Sequence, residues 1–231
     1  MLAYLFDIDG TILLTGGAGS RAINRVFLER YGVSRAMDPV QAGGKTDPLI
    51  LAEIFENTLD RTPSEEEIGA IFEAYVPYLA LELRRSERLV VMPGAPEAVR
   101  WLSGRAEVHL GIATGNIREA ARLKLEHIDL WKEFSFGGYG SDSSDRAELV
   151  ARAMERGREQ PGAARLADSD FVVVGDTARD VAAARACGAR VVAVPTGHYT
   201  AHDLNECDPD ALLESLEQLP AWHLANDDRQ Q

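Results

Sequence analysis

The chain has 231 residues, 45% of them hydrophobic, which suits one large domain or a core with a smaller insertion and argues against disorder. The formal net charge of −13 argues against a nucleic acid or an anionic membrane as a partner, because both require a basic face. Cys187 and Cys207 are too few for a disulfide framework and lack zinc-ligand spacing. We expect a reduced, cytoplasmic protein, either a monomer or a homodimer.

Four short apolar runs, the first at the start of the chain, predict strands. Runs of this length, rich in β-branched residues and bounded by turn residues, are typical of strands buried on both faces. They lie at residues 2–6, 108–113, 171–174 and 190–194. Apolar residues at helical spacing between them predict helices at 95–103, 117–127, 147–156 and 180–187. This alternation predicts an α/β fold with a doubly wound, parallel, Rossmann-like sheet.

The segment of residues 15–90 breaks the alternation. It contains three amphipathic stretches and no convincing buried strand. Ser64, with Glu67 three residues later, predicts a capping box at the start of the third stretch. The stretches lie at residues 19–31, 48–59 and 64–85.

We favour a helical insertion that forms its own small domain over extra helices packed on the sheet. The predicted division is a Rossmann-like core of residues 1–14 and 91–231, with the insertion at residues 15–90. The last residues, from 220 onward, are expected to form a frayed tail with Trp222 as an anchor.

Polar residues follow the predicted strands, at the edge where parallel sheets bind ligands. Asp7 and Asp9 follow the first strand, Thr114 the second, and Asp176 and Asp180 the third. If these strands are neighbours, the carboxylates converge on one crevice. Two carboxylates about 4 Å apart repel by on the order of 4 kcal/mol at a dielectric near 20, so the cluster requires a cation or protons. Oxygen ligands without His or Cys select a hard ion, and Mg²⁺ is the obvious choice.

Each piece alone also has an ordinary structural explanation. Asp7 could be a helix N-cap or an Asx turn, and the aspartates after the third strand could cap a helix. The TGN segment at residues 114–116 could be a plain strand-to-helix turn, although its hydroxyl and the backbone N–H groups that follow are suited to a phosphate oxygen. Asp9 changes the balance, because one loop can present both carboxylates to a single site.

Order and spacing together are more specific than any piece. DIDGT at residues 7–11, TGN at 114–116 and VVVGDTARD at 172–180 resemble the haloacid dehalogenase-like hydrolase superfamily. The resemblance covers nearly the whole chain. The insertion matches the helical cap of phosphoglycolate phosphatase-like and β-phosphoglucomutase-like members.

This resemblance implies a role for each matching residue. Asp7 would attack phosphorus and become an aspartyl-phosphate, and Asp9 would protonate the leaving group, activate water and lend its backbone carbonyl to Mg²⁺. Thr114 would bind a phosphoryl oxygen. Asp176 would ligate the metal, and Asp180 would support it directly or through water. Asp9 favours phosphate chemistry, since the dehalogenase branch lacks this second aspartate.

The third motif of the family, a Lys or less often an Arg that neutralises the nucleophile, is matched less clearly. By position it falls on SDSSDRAEL, which makes Arg146 the first candidate. Lys124, on the helix after Thr114, is the second. A solvated helix face would explain Lys124, and an ion pair with Asp142 or Asp145 would explain Arg146 equally well. We favour Arg146 slightly and expect both cations to border the site.

Residues that contact the substrate are predicted at two further places. Lys45 or Thr46, in a polar loop between predicted helices of the insertion, could reach the end of the substrate away from the phosphate. An ordinary connecting loop is an equally good explanation. Gly115 and Asn116 lie beside Thr114, where Asn116 either orients substrate or caps the next helix.

The sequence therefore predicts a Mg²⁺-dependent phosphatase that hydrolyses a small phosphorylated metabolite through an aspartyl-phosphate. A phosphomutase of the same fold is an alternative, because the two differ mainly in how long the aspartyl-phosphate survives water. A phosphate-binding or signalling module without catalysis is a further alternative. Receiver domains also use an aspartyl-phosphate, but their acceptor ends a middle strand.

Overall fold

The computed structural model describes residues 1–227, and its centre is a six-stranded, fully parallel sheet. In chain order the strands and helices are β1 (Leu2–Phe6), β2 (Leu13–Leu14), α1 (Ala18–Tyr31), α2 (Asp47–Leu59), α3 (Glu65–Arg85), β3 (Val90–Val91), α4 (Ala95–Ser103), β4 (Val108–Thr114), α5 (Arg118–His127), β5 (Phe136–Tyr139), α6 (Arg146–Arg158), β6 (Phe171–Gly175), α7 (Ala178–Ala186), β7 (Arg190–Ala193), α8 (Ala201–Asn205), β8 (Ala211–Leu212) and α9 (Leu219–Asp227). The predicted α/β fold with a doubly wound sheet is confirmed.

The sheet order is β5-β4-β1-β6-β7-β8, with β1 in parallel register between β4 and β6. All five residues of β1 are buried, and they alternate between two cores. Tyr4 and Phe6 face the layer of α4, α5 and α9, whereas Ala3 and Leu5 face α6 and α7. The carboxyl ends of β1, β4 and β6 are therefore neighbours, at the point where the strand order reverses.

Three helices, α1 to α3, form the insertion and bury a third hydrophobic cluster. Phe27 and Phe55 meet edge to face in this cluster, with ring centroids 5.5 Å apart. Ile117, from the start of the α5 region, belongs to the same cluster, so the insertion packs against the core there. β2 and β3 pair antiparallel where the chain leaves and re-enters the core. The capping box predicted from Ser64 and Glu67 is present at the start of α3.

The sequence expectation was wrong at the end of the chain and incomplete in the sheet. Residues 219–227 form α9 instead of a frayed tail, and His223 is buried with its Nδ1 atom 2.8 Å from the Tyr4 hydroxyl. The rest of that expectation, residues 228–231, lies outside the described residues. The edge strands β5 and β8 were not predicted. No helix within residues 1–227 is both long and apolar enough to cross a membrane.

Candidate active site

The loop after β1 is shaped by close contact with the loop after β6. Asp7 donates its backbone N–H to the carbonyl of Val174 at 2.9 Å. Gly10 has a positive φ of 87°, and a Cβ atom at this position would lie 2.3 Å from Oδ2 of Asp176. Only glycine fits this turn. The Thr11 hydroxyl donates to Oδ1 of Asp176 at 3.1 Å. The DIDGT segment thus fixes its loop directly against Asp176.

Asp7, Asp176 and Asp180 form one group, here called the acidic cluster. All three are buried, and each offers a carboxylate oxygen within 4.8 Å of the others. Asp180 is also held by local structure, because its Oδ2 accepts hydrogen bonds from the backbone N–H and the hydroxyl of Thr177 in a capping box. The cluster joins the ends of β1 and β6, as the sequence predicted.

The electrostatic environment of the acidic cluster opposes ionisation. Burial, together with the carboxylates of Asp7 and Asp180, raises the pKa of Asp176 to about 8. Burial also raises the pKa of Asp7 to about 6, against the opposing effect of the Arg146 guanidinium. Negative charge in this cluster is therefore not fully neutralised by the protein.

This donor set fits a hard divalent cation. Asp176 is only 3% exposed, and its Oδ2 atom accepts no hydrogen bond from any described residue. An oxygen of a largely buried carboxylate that faces the cavity and has no protein donor is available to a proton or a cation. Mg²⁺ prefers carboxylate oxygens and binds through one or two of them. The residues present thus suit the Mg²⁺ that the sequence led us to expect.

Arg146 bridges two members of the acidic cluster from the first position of α6. Its Nη2 atom lies 3.0 Å from Oδ2 of Asp7, and its Nε donates to Oδ1 of Asp180 at 3.0 Å. Asp145 caps the helix by accepting the N–H of Ala147, which directs Arg146 toward the sheet edge. Of the two cations predicted near the nucleophile, Arg146 is the one in contact with Asp7.

Lys124 contacts Asp9 instead of Asp7. Its side chain is almost fully buried, and Nζ donates to both carboxylate oxygens of Asp9, at 2.8 and 2.6 Å, and to Oδ1 of Asn116 at 2.6 Å. Asn116 donates from Nδ2 to Asp9 and to the hydroxyl of Thr114. These contacts form one network of polar groups across the ends of β1 and β4.

The two predicted substrate contacts of the insertion are engaged by protein groups. Lys45 forms an ion pair with Glu53 of α2. The hydroxyl of Thr46 donates to the backbone carbonyl of Ser144 at 3.1 Å. Gly115 allows close approach here, since a Cβ atom would lie 2.4 Å from the carbonyl oxygen of Lys45.

Two residues that line the site were not singled out from the sequence. Asp47 donates its backbone N–H to Gly115 at 2.7 Å and accepts the N–H of Ile117 on its carboxylate at 2.8 Å. Tyr75 is 4% exposed and lies on α3. In the sequence Asp47 has the pattern of an acid in the first turn of a helix, and Tyr75 that of a core residue at helical spacing, so neither carried a signal for a site.

These groups surround a cavity of about 230 Å³ between the sheet edge and the insertion. Asp7 and Asp176 of the acidic cluster line the cavity, and so do residues from α1, α2 and α3. Typical ligand pockets measure about 300–1,000 Å³, so this one suits a small molecule. A small anion in this cavity would lie beside the carboxylate of Asp7, the guanidinium of Arg146 and the carboxylate of Asp9.

Comparisons with known proteins show which family and which fold the chain resembles. The family described as haloacid dehalogenase-like hydrolase matches residues 4–194. A phosphoglycolate phosphatase of Nitrosospira multiformis is 27% identical over 219 residues, which cover 93% of this chain and 92% of that protein. A phosphoglycolate phosphatase of Pseudomonas savastanoi pv. phaseolicola is 23% identical over 216 residues, with coverage of 93% and 77%. The structure of CbbY from Rhodobacter sphaeroides in complex with phosphate has a TM-score of 0.70 at 21% identity, with coverage of 95% and 96%.

Proposed function

The chain belongs to the haloacid dehalogenase-like hydrolase family, in its phosphoglycolate phosphatase-like branch, and we propose that it is a Mg²⁺-dependent phosphatase of small phosphomonoesters. The observation that carries this proposal is the contact of Arg146 with Asp7 beside the unbalanced carboxylate of Asp176. A guanidinium next to a buried carboxylate provides both a nucleophile and a cation for the charge on a transferring phosphoryl group.

In the proposed reaction Asp7 forms a bond to phosphorus while the bond from phosphorus to the alcohol oxygen breaks. Asp9 gives its proton to that leaving oxygen. Asp9 then takes a proton from water, whose oxygen attacks the phosphorus of the aspartyl-phosphate and releases phosphate and free Asp7. One positioned acid–base group that serves both steps is typically worth about 10²–10⁴-fold in rate.

Other side chains of the site support these steps. Arg146 neutralises charge on Asp7 and on the transferring group, and the hydroxyl of Thr114 binds a phosphoryl oxygen. Lys124 and Asn116 hold the carboxylate of Asp9. Asp7, Asp176 and the backbone carbonyl of Asp9 would hold Mg²⁺, with Asp180 in support. The ion would stabilise negative charge on the phosphoryl oxygens.

We also propose that the chain is divided into two domains. Residues 15–90 act as a separate helical domain that covers the site of the core, residues 1–14 and 91–231. The third hydrophobic cluster and the pairing of β2 with β3 at the two crossings support this division. Closure of such a domain excludes water from the reaction.

Hydrolysis of p-nitrophenyl phosphate with and without Mg²⁺ tests the proposed function. We expect turnover that requires Mg²⁺ and is lost in the Asp7→Asn variant, which keeps the size of the side chain but not its charge. A folded protein that binds phosphate without any turnover would show that the chain is a phosphate-binding module.

A further inference from the structure

The side of the cavity formed by the insertion carries several apolar side chains. Ile23 of α1, Ile50 of α2 and Met37 line this side. An apolar wall favours the carbon atoms of a ligand, and the few polar groups then decide its orientation and identity. The polar groups on this side include the hydroxyl of Tyr75 and the carboxylate of Asp47, together with Ser20 and Lys45.

Tyr75 provides a hydroxyl without a protein partner. Only 4% of the residue is exposed, and its hydroxyl makes no hydrogen bond to any of residues 1–227. The hydroxyl lies close to Gly19, another residue that lines the cavity, since a Cβ atom there would be 3.3 Å from it. A buried phenol usually finds a partner, so its direction into the cavity indicates a polar group of the ligand.

Asp47 gives this side of the cavity a negative charge. One of its oxygens accepts the N–H of Ile117, and no Lys or Arg in the described part of the chain forms an ion pair with it. Burial raises the pKa of Asp47 to about 6, although the charge of Lys124 opposes this effect. A ligand carboxylate placed here would meet a like charge in a poorly solvated position.

The cations that line the cavity are already engaged. Lys45 pairs with Glu53, Lys124 with Asp9, and Arg146 with Asp7 and Asp180. His198, the remaining basic residue of the lining, follows Gly197, which packs against the Asp176 carboxylate at the opposite end. The side of Tyr75 and Asp47 therefore offers no free cation for a carboxylate of the substrate.

On the basis of the proposed function, we propose that the cavity selects the phosphomonoester of a small, uncharged alcohol with a further hydroxyl group and disfavours phosphorylated carboxylic acids. The further hydroxyl accepts a hydrogen bond from Tyr75 and donates one to Asp47. Its carbon atoms lie against the apolar wall. This preference would distinguish the substrate of this chain from phosphoglycolate, the carboxylate-bearing compound for which several relatives are named.

A matched pair of ligands tests this selection. Glycerol 3-phosphate and 3-phosphoglycerate have the same three-carbon chain, but the second replaces a CH₂OH group with a carboxylate. With the Asp7→Asn protein and Mg²⁺, calorimetry is expected to show binding of glycerol 3-phosphate that is tighter by about tenfold or more, the effect of one buried charge conflict and one lost hydrogen bond. Equal affinities, tighter binding of 3-phosphoglycerate or no binding of glycerol 3-phosphate would overturn the inference.

Turnover by the wild-type chain, measured in parallel, keeps the two proposals apart. Failure to hydrolyse any phosphomonoester would sink the proposed function, whereas the binding preference of the Asp7→Asn protein still decides the selection. A binding preference for 3-phosphoglycerate with normal p-nitrophenyl phosphate turnover would overturn the selection alone.

Two variants assign the selection to its residues. Tyr75→Phe is expected to weaken binding of glycerol 3-phosphate by roughly tenfold and to leave binding of inorganic phosphate unchanged. Tyr78→Phe, which alters a tyrosine of the same helix that donates to Glu29 outside the cavity, is the matched control and should change neither. Asp47→Asn, which keeps an acceptor for Ile117, should reduce the discrimination against 3-phosphoglycerate by about tenfold. Equal losses of phosphate and glycerol 3-phosphate binding in Tyr75→Phe would contradict contact with the alcohol.

Discussion

Three buried carboxylates and one guanidinium meet in the acidic cluster, which leaves negative charge without a partner. Arg146 contacts Asp7 and Asp180 but makes no hydrogen bond to Asp176 among the described contacts. The raised pKa of Asp176, about 8, follows from burial and from the two neighbouring carboxylates. The protein thus keeps a position ready for a divalent ion at the cost of its own stability.

The first prediction concerns Mg²⁺ and pH. Because the pKa values of Asp176 and Asp7 are raised above their ordinary value, the folded chain without a divalent ion retains protons that the unfolded chain has lost. The free energy of unfolding therefore falls as pH rises from about 4 to about 8. Mg²⁺ competes with these protons, so its stabilising effect should grow over the same range.

Thermal unfolding at pH 5.5 and pH 8, with and without Mg²⁺, measures this effect. At about 100 times Kd the expected gain at pH 8 is about 2.7 kcal/mol, or a rise in Tm of roughly 5–10 °C. The gain should be much smaller at pH 5.5 and should be largely lost in Asp176→Asn. An equal gain at both pH values would contradict the assignment of the ion to these carboxylates.

The second prediction concerns Arg146. Its planar group contacts Asp7 through Nη2 and Asp180 through both Nη2 and Nε, a fork that a single ammonium group cannot reproduce. Arg146→Ala is expected to lower kcat with p-nitrophenyl phosphate by about 10²–10³-fold, and Arg146→Lys by less. Arg152→Ala, on the same helix but in an exposed ion pair with Glu155, is the control and should leave kcat unchanged. A wild-type value of kcat in Arg146→Ala would show that Arg146 takes no part in the reaction.

The sequence alone could not separate Arg146 from Lys124. Both stand on helices that follow core strands, so spacing allowed either to approach Asp7. The two residues are distinguished only by their positions in the folded chain. Arg146 begins a helix beside Asp180, whereas Lys124 lies near the end of α5 and donates to Asp9. Tyr75 was out of reach for a similar reason, since a buried tyrosine of a helix has the same pattern whether it lines a core or a cavity.

Among the elements, β5 shows why an edge strand escaped detection. Its sequence, FGGY, has two glycines and no β-branched residue, so it lacks the signal that marked β1, β4 and β6. The glycines are explained by packing, because a Cβ atom at Gly138 would lie 1.9 Å from the carbonyl oxygen of Leu149 in α6. The strand is thus specified by a close approach of α6, which no local pattern reveals.

The third prediction compares two glycines in different elements. Gly138→Ala forces α6 away from β5 and is expected to lower the free energy of unfolding by roughly 1–3 kcal/mol. Gly69→Ala, in the second turn of α3 with no atom within 4 Å of the new methyl group, should raise it by roughly 0.5–1 kcal/mol through helix propensity. Urea unfolding of both variants gives these values. A similar sign for both changes would refute the packing argument.

At the scale of the whole molecule, hydrogen bonds join the insertion to the core at the turns that follow β4 and β5. Asp47 donates to Gly115 and accepts from Ile117, and Thr46 donates to Ser144. The sequence predicted the insertion and the core sheet, because long periodic segments and buried runs identify both. It could not predict how they dock, since these contacts join residues about 70 to 100 positions apart.

The fourth prediction tests this docking. A methyl group at position 115 would lie 2.4 Å from the carbonyl oxygen of Lys45, so Gly115→Ala should hinder approach of the insertion. We expect KM for p-nitrophenyl phosphate to rise by about tenfold, a loss near 1.4 kcal/mol, with little change in Tm. Gly43→Ala, in the loop that contains Lys45 but with no atom within 4 Å of the new methyl group, is the control. Unchanged kinetics in Gly115→Ala would show that this contact plays no part in closure.

The central claim, a two-step reaction through Asp7, is tested most directly by rapid mixing of the Asp9→Asn variant with p-nitrophenyl phosphate and Mg²⁺. The p-nitrophenolate ion leaves without needing a proton, so the first step does not depend on Asp9, whereas the attack of water on the aspartyl-phosphate does. We expect a burst of one equivalent of p-nitrophenolate, very slow turnover afterwards, and one phosphoryl group on Asp7 in the digested protein. Steady turnover without a burst, or a phosphoryl group on any other residue, would contradict the account.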